Sequence, residues 1–296
     1  MTTQIASSLR TVLLTAVTMT FFAANSLLAR FALREGEIDG GSFTAVRIFA
    51  GAVALVLLVA VRRGGLAALR GNGSVGAALA LFGYAITFSF AYLSLDAGVG
   101  ALILFAAVQI TMIAVGIVRG EQPGPSEWIG LTLAFGGLVY LVSPGLTAPS
   151  PAGVILMAAS GAAWGCYSLA AKGVRSPIAA TAGNFARAAP MAAGALVVIW
   201  WTGQPHASWT GLRLAAISGA FTSGLGYAIW YITLKDLSTT RAAIVQLTVP
   251  VLAAAAGVIL LGEQMTLRLV LASAAILGGV ALALLGKNGV VSSAHE

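Results

Sequence analysis

Acidic residues are scarce: nine Asp and Glu in 296 residues, against sixteen Lys and Arg. Charged residues of both signs make up 8% of the chain, where a soluble domain carries about 25%. Water is therefore not its main solvent. Cysteine occurs once, at Cys166, which excludes an intrachain disulfide and a Cys-rich metal centre. Histidine occurs twice, as His206 and His295, both near the ends of apolar runs, so no zinc site is expected. No Walker-type Gly-rich loop is present to hold a nucleotide. The formal charge of +7 raises nucleic acid as a partner, but the basic residues stand singly between apolar runs and form no face that could track phosphates. Neither a cofactor nor nucleic acid is expected.

The chain is instead 59% hydrophobic, with a mean hydropathy of +0.96 and 36 glycines, small residues of the kind that let membrane helices approach closely. A membrane helix needs about 20 mostly apolar residues. Ten such runs can be read: Thr11–Leu33, Phe43–Val61, Val75–Leu95, Val99–Val118, Glu127–Val142, Ala152–Ala171, Ile178–Trp201, Ser208–Leu234, Thr239–Leu261 and Thr266–Leu285. Short linkers rich in turn residues, such as "GEIDGG" and "SPGLTAPSP", separate them. With the N-terminus inside, the inner segments hold Arg10, Arg62, Arg63, Arg70, Arg119, Lys172, Arg175, Lys235, Arg241 and Lys287. The outer ones hold Arg34, Arg213 and Arg268, so both termini are predicted cytoplasmic.

The scarce glutamates reveal a repeat. "RGEQPG" and "LGEQMT" place Glu121 and Glu263 in one Gly-Glu-Gln frame, 142 residues apart (263 − 121). The same offset carries Gly136-Gly137 to Gly278-Gly279, Phe22 to Trp164, Ser26-Leu27 to Ser168-Leu169, Arg30 to Lys172 and Phe43 to Phe185. Arg47 and Arg187 correspond with a two-residue slip. The expectation is two five-helix repeats, residues 1–145 and 146–296, in one membrane domain. Five is odd, so the second copy enters from the opposite side. The fold class is thus an all-α integral membrane protein with ten transmembrane helices in a 5+5 inverted-topology repeat. Such halves enclose a site near the midplane that opens to each side in turn.

"PVLAAAAGVILLGE", from Pro250 to Glu263, and "FFAANSLLARFAL", residues 21–33, resemble the ninth and first helices of the drug/metabolite transporter superfamily, EamA-type. The likeness covers essentially the whole chain, except that Val108 stands where the second copy has Pro250. The chain also looks like an amino-acid exporter of the YddG type. That resemblance implies export of aromatic and other neutral amino acids across a bacterial inner membrane.

Polar and aromatic groups inside spans are the candidate substrate contacts, because they are costly in hydrocarbon. Phe22 and Asn25 share a helix face with Thr18; Tyr84 and Phe88 share one with Tyr92. Gln109, Trp164, Tyr167, Asn184, Arg187, Tyr227, Trp230 and Gln246 complete the set. Gln246 is favoured mechanically, because Pro250 lacks the N–H that would bond its carbonyl. Plainer readings stand beside these. Tyr92 and Tyr231 sit near span ends and suit an interfacial aromatic belt; Asn25 and Gln109 suit bonds to a neighbouring helix; Arg30 suits snorkelling to the outer interface. Arg47 and Arg187 have no acidic residue in the interior of any span to pair with, so Arg187 is expected to face water, helix-end carbonyls or an anion. Glu121 and Glu263 are expected to stand near the N-terminus of the helix that follows each. The run Gly219 to Gly226 suits sliding or bending.

Transport without obligatory proton coupling follows from the lack of a carboxylate or His inside the membrane. The expected partners are a small-molecule substrate and the lipid bilayer, and a monomer is compatible with the sequence. A multidrug or other metabolite exporter of the same fold is the nearest alternative; a channel or an intramembrane enzyme is the alternative from another class. An enzyme is not expected, because the spans offer no Asp/Glu pair and no His cluster.

Overall fold

Prolines and short polar side chains mark where the helices begin. In the computed structural model, residues 2–62, 65–118, 120, 124–143, 145, 148–170, 174–203, 205–234, 237 and 245–292 are described, without the side chains of 2–9, 68 and 284–292. Helix α1 spans Thr2–Arg34 and α2 spans Gly40–Ala60. The Asp39 carboxylate caps α2 by accepting from the Gly41 and Ser42 amides at 3.0 and 2.8 Å, which starts the helix three residues before the apolar run. A short 3₁₀ turn, Gly65–Leu69, leads to α3, Val75–Ala91, capped by Ser74. Helix α4 is Ala97–Val118. Pro125, Pro151 and Pro177 open α5 (Pro125–Val142), α6 (Pro151–Ala170) and α7 (Pro177–Thr202), positions where a missing N–H costs nothing. Ser208 caps α8, Trp209–Ile217, which runs on through a π-helical segment, Ser218–Leu225, into α9, Gly226–Thr233. Helices α10 (Thr248–Leu261) and α11 (Leu267–Ser292) follow.

Among the described residues every regular element is helical, apart from one isolated bridge between Ile38 and Ala207. Among the described residues six helices are long and apolar enough to cross a membrane by themselves: α1, α2, α4, α5, α6 and α7. Helices α3 and α10, and Leu267–Ala283 of α11, are apolar but shorter. The eighth apolar run is one rod interrupted by the π segment, and the described part of the ninth is broken at Leu247, between helical residues 245–246 and the helix that follows. Pro250 therefore sits in the first turn of α10 and not inside a continuous helix. The outer surface is apolar: Leu57, Ile155, Ile259 and Leu267 are exposed, as lipid contact requires.

Helix contacts pair off in a pattern that repeats itself. Helix α3 packs on α6, and α9 on α1; α4 packs on α6, and α10 on α1; α2 meets α7, α4 meets α10, and α5 meets α11. The α5–α11 contact is glycine-built. A Cβ on Gly279 would stand 2.6 Å from the Ala134 amide, and one on Gly130 would stand 2.6 Å from the Ala283 amide. Gly137 faces the same contact, so one member of each repeated Gly-Gly pair serves it, while Gly136 and Gly278 face open space.

Two sets of loops gather at opposite ends of the bundle. At one end, the Asp39 amide donates to His206 O at 2.8 Å, and Asp39 Oδ2 accepts from the His206 amide at 3.0 Å. Burial alone would raise the Asp39 pKa, but the hydrogen bonds from Ser42, His206 and Gly41 outweigh it and hold the carboxyl below its ordinary value. At the same end, Arg268 donates to Ser143 O. The other end joins Asn72 and Ser74 to Gly183, Asn184 and Arg187. Glu121, Arg63, Arg119, Lys172, Lys235, Asp236, Arg241, His295 and Glu296 lie outside the described residues.

Candidate functional site

A single arginine anchors the middle of the bundle. Arg47 on α2 is 2% exposed, and its neighbours come from both halves of the chain. Its Nε donates to Ser223 Oγ at 3.0 Å; its Nη2 donates to Tyr84 Oη at 2.8 Å and Tyr227 Oη at 3.2 Å. The guanidinium also lies over the Tyr84 and Phe88 rings, 5.0 and 4.7 Å from their centroids. Nη1 is buried and has no partner among the described residues.

Asn25 extends this network. Its Nδ2 donates to Tyr84 Oη at 3.2 Å, and its Oδ1 accepts from Ser218 Oγ at 2.6 Å and Thr222 Oγ1 at 3.0 Å. Both hydroxyls are buried and belong to the π-helical segment. Gly219 makes the close approach possible: a Cβ there would overlap the Arg47 carbonyl. A π turn inside an α rod is a recurrent feature of functional sites.

Aromatic rings close the site. Trp164 stacks obliquely on Tyr84 at 4.9 Å and on Tyr227 at 4.6 Å. Phe22 meets Trp164, Tyr227 and Trp230 edge-on at 5.8 to 6.0 Å. Phe22, Asn25, Tyr84, Phe88, Trp164 and Tyr227 help line a small cavity of about 20 Å³, room for about one water. A second cavity, of about 230 Å³, opens toward the Asn72 end between Ser74, Thr181, Asn184 and Tyr231. Tyr167, 5.5 Å from Trp164, links the two regions.

The candidate residues thus fall into groups. Phe22, Asn25, Tyr84, Phe88, Trp164, Tyr227 and Trp230 form one cluster. Asn184 lines the second cavity. Arg187 lies one turn from Asn184, where it donates to the Asn72 and Gly183 carbonyls, both at 2.9 Å. Gln109 and Gln246 are buried but border neither cavity. Arg47 and the hydroxyls of Ser218, Thr222 and Ser223 were absent from the substrate set, though two signals point to them. One is an arginine inside an apolar run; the other is the hydroxyls dispersed through the glycine run "SGAFTSGLG".

Three plainer expectations are corrected. Tyr92 and Tyr231 are buried and face the bundle; the exposed aromatics near helix ends include Phe31, Trp128, Tyr140, Trp200, Trp201 and Trp209 instead. Arg30 does not snorkel: it is buried and donates to Asp96 at 2.7 Å, the Tyr92 carbonyl at 3.1 Å and Glu263 at 3.4 Å. Glu263 serves α4 instead of the helix after it, its carboxylate accepting from the Ala97 amide at 2.9 and 3.0 Å. Burial, with Asp96 nearby, pushes the Glu263 pKa up despite the Ala97 amide and Arg30.

The sequence matches the EamA-like transporter family twice, over residues 9–143 and 151–285, two stretches whose starts are 142 residues apart (151 − 9). The chain belongs to the EamA-like transporter family. Members of this family are transporters, so this EamA-like chain is a membrane transporter and not an enzyme. It is 50% identical to an uncharacterized protein of Pseudomonas aeruginosa over 280 residues, 95% of this chain and 96% of that one. It is 28% identical to a "probable amino-acid metabolite efflux pump" of Salmonella typhimurium over 208 residues, 63% of this chain and 70% of that one. One solved crystal structure shares the EamA-like chain's fold, with a TM-score of 0.67 at 19% identity, over 93% of this chain and 97% of the other.

Proposed function

We propose that this EamA-like transporter is a ten-pass, inverted-repeat carrier that exports amino acids, aromatic and other neutral ones, by alternating access. The observation that carries the reading is the buried cluster around Tyr84, Trp164 and Tyr227, which pairs hydrogen-bonding groups with aromatic walls and draws them from both repeats. An amino acid needs both. The name of the Salmonella relative points to the same cargo class.

The ten-pass reading is supported by the ends of the helices. The loops or ends after α1, α3, α5, α7 and α10 meet through Asp39–His206, Arg30–Asp96–Glu263 and Arg268–Ser143. If all five lie on one side, α8 through α9 counts as one crossing and the two copies run oppositely. The self-repeating helix pairing agrees. The excess of basic residues in the alternate segments supports that side as the outer one and both termini as cytoplasmic, in the proposed setting of the cell's inner membrane. Asn25, Phe22, Tyr84, Phe88, Trp164, Tyr227 and Trp230 are the proposed substrate contacts. Tyr167, Asn184 and Arg187 would line or border the route from the Asn72 end. Gln109 and Gln246 would join only after the helices shift. Nothing acidic borders the cluster among the described residues, which favours facilitated export over proton exchange.

The experiment is counterflow in proteoliposomes with a panel of neutral, aromatic and charged amino acids and one cationic dye. Saturable exchange of phenylalanine or leucine is expected. Exchange of the dye alone would move the cargo to the multidrug class, and conductance without counterflow would make the protein a channel. Removing only the pH gradient should leave the rate unchanged.

A further inference from the structure

We propose that Arg47 is an anion subsite, so that the cargo is recognised by its carboxylate and needs no ammonium group; this rests on the exporter reading and narrows it. Arg47 keeps its charge at any physiological pH. A charge held away from water without a counter-ion is costly, and a buried donor left unpaired adds to the cost. Nε and Nη2 meet only neutral hydroxyls, and the flat faces are covered by Tyr84 and Phe88. Nη1 is left over. Among the described residues the buried acidic side chain is Glu263, which is already engaged by Arg30 and the Ala97 amide.

An incoming carboxylate answers both deficits at once. It neutralises the guanidinium and accepts from Nη1, a match of charge and planar geometry that arginine makes better than lysine. An ammonium finds no such counterpart. Asn25 Oδ1 already accepts two hydroxyls, and no carboxylate lines the cavity. Phe22, Trp164 and Tyr227 would flank the cargo's apolar body once the walls part. The subsite therefore fits small carboxylic acids with an apolar or aromatic body, of which zwitterionic amino acids are one case.

The test titrates the purified full-length protein, in nanodiscs, with three compounds: phenylalanine, 3-phenylpropionate (carboxylate only) and phenylalaninamide (ammonium only). Tryptophan fluorescence reads binding directly, because Trp164 stands in the cluster. Both carboxylates should bind saturably, and the amide at least about tenfold more weakly. Arg47→Lys should weaken both carboxylates while leaving the amide where it was. The proposal is overturned if the amide binds as well as 3-phenylpropionate, if neither carboxylate binds, or if a folded R47K or R47Q variant binds carboxylates like wild type. Should both variants unfold, the ligand comparison on wild type decides alone. Carboxylate binding without counterflow of any amino acid would sink the exporter reading and leave the subsite standing; amino-acid counterflow with strong amide binding would do the reverse.

Discussion

Replacing Gly219 by alanine should damage the centre of this transporter, although the change adds one methyl group. The new Cβ would stand 2.8 Å from the Arg47 carbonyl carbon and 2.9 Å from its Cα, both rigid backbone atoms. Carbon atoms pack at about 3.5–4.0 Å, so α2 and the π segment must part by about 0.7–1.2 Å. The Arg47–Ser223 hydrogen bond is 3.0 Å long, and a displacement of that size takes it past the reach of a hydrogen bond. Overpacking costs about 1–3 kcal/mol, and a bond to a charged group is worth about 1.5–3 kcal/mol. The total, about 2.5–6 kcal/mol, corresponds to a fall in melting temperature of roughly 5–24 °C. Gly278 supplies the control, since nothing lies within 4 Å of a Cβ placed there. Alanine at that exposed helical position should leave stability unchanged or raise it by up to about 1 kcal/mol. Melting in one detergent, at one scan rate, compares the two variants fairly. If G219A melts beside G278A and wild type, the close backbone approach that shapes the site does not exist.

Other contacts are open to similar checks. Arg30→Gln should destabilise by about 3–5 kcal/mol, because it strands buried Glu263; Glu263→Gln in the same chain should restore part of that loss in a thermal melt. Gly279→Ala should loosen α5 from α11, where the new Cβ meets the Ala134 amide at 2.6 Å, and should speed proteolysis there without changing ligand-induced fluorescence. Asp39→Ala should cost about 0.5–2 kcal/mol at neutral pH through its lost cap. The Asp39 pKa is lowered by folding, so its contribution is present above the ordinary aspartate value near 3.8 and is lost as pH falls through the lowered value. Melting curves of wild type and D39A should therefore converge in strong acid and separate on return to neutral pH.

Helix positions were largely legible because apolarity and Pro or Ser starts are local signals. The π segment was not. Its glycines announce close approach, but only the backbone of α2 on the other side decides that the rod widens there. Tyr92 was misread for a related reason. Nearness to a span end suggests an interfacial ring, whereas its real environment is set by Phe88 beneath it, at 4.7 Å, and the turn that buries it. Arg30 looked like a snorkelling cation because its partners, Asp96 and Glu263, are 66 and 233 residues away in the chain. The aromatic cluster could be found one helix at a time, but its convergence on Arg47 depends on how α2, α3, α6 and α9 meet.

The repeat also bears on the specificity of the proposed site. Phe22 and Trp164 are repeat partners and touch at 6.0 Å; Tyr84 and Tyr227, partners with a one-residue slip, bond through their hydroxyls at 3.2 Å. Residues related by a two-fold operation meet only near its axis, so in the proposed inverted repeat this cluster lies between the two halves. Arg47 breaks the symmetry, because its slipped counterpart Arg187 is held at the Asn72 end by carbonyls. The two ends differ in the same way. Ion pairs among Arg30, Asp96 and Glu263 close one end, whereas among the described residues the other is held by Arg187 and Asn184 on backbone groups beside a cavity of about 230 Å³. In the proposed exchange, the ion pairs must break as the far end closes. Arg47 bonds to Tyr84 within its own half and to Ser223 and Tyr227 across the boundary, so a carboxylate on Nη1 would ride with α2 while its walls change partners.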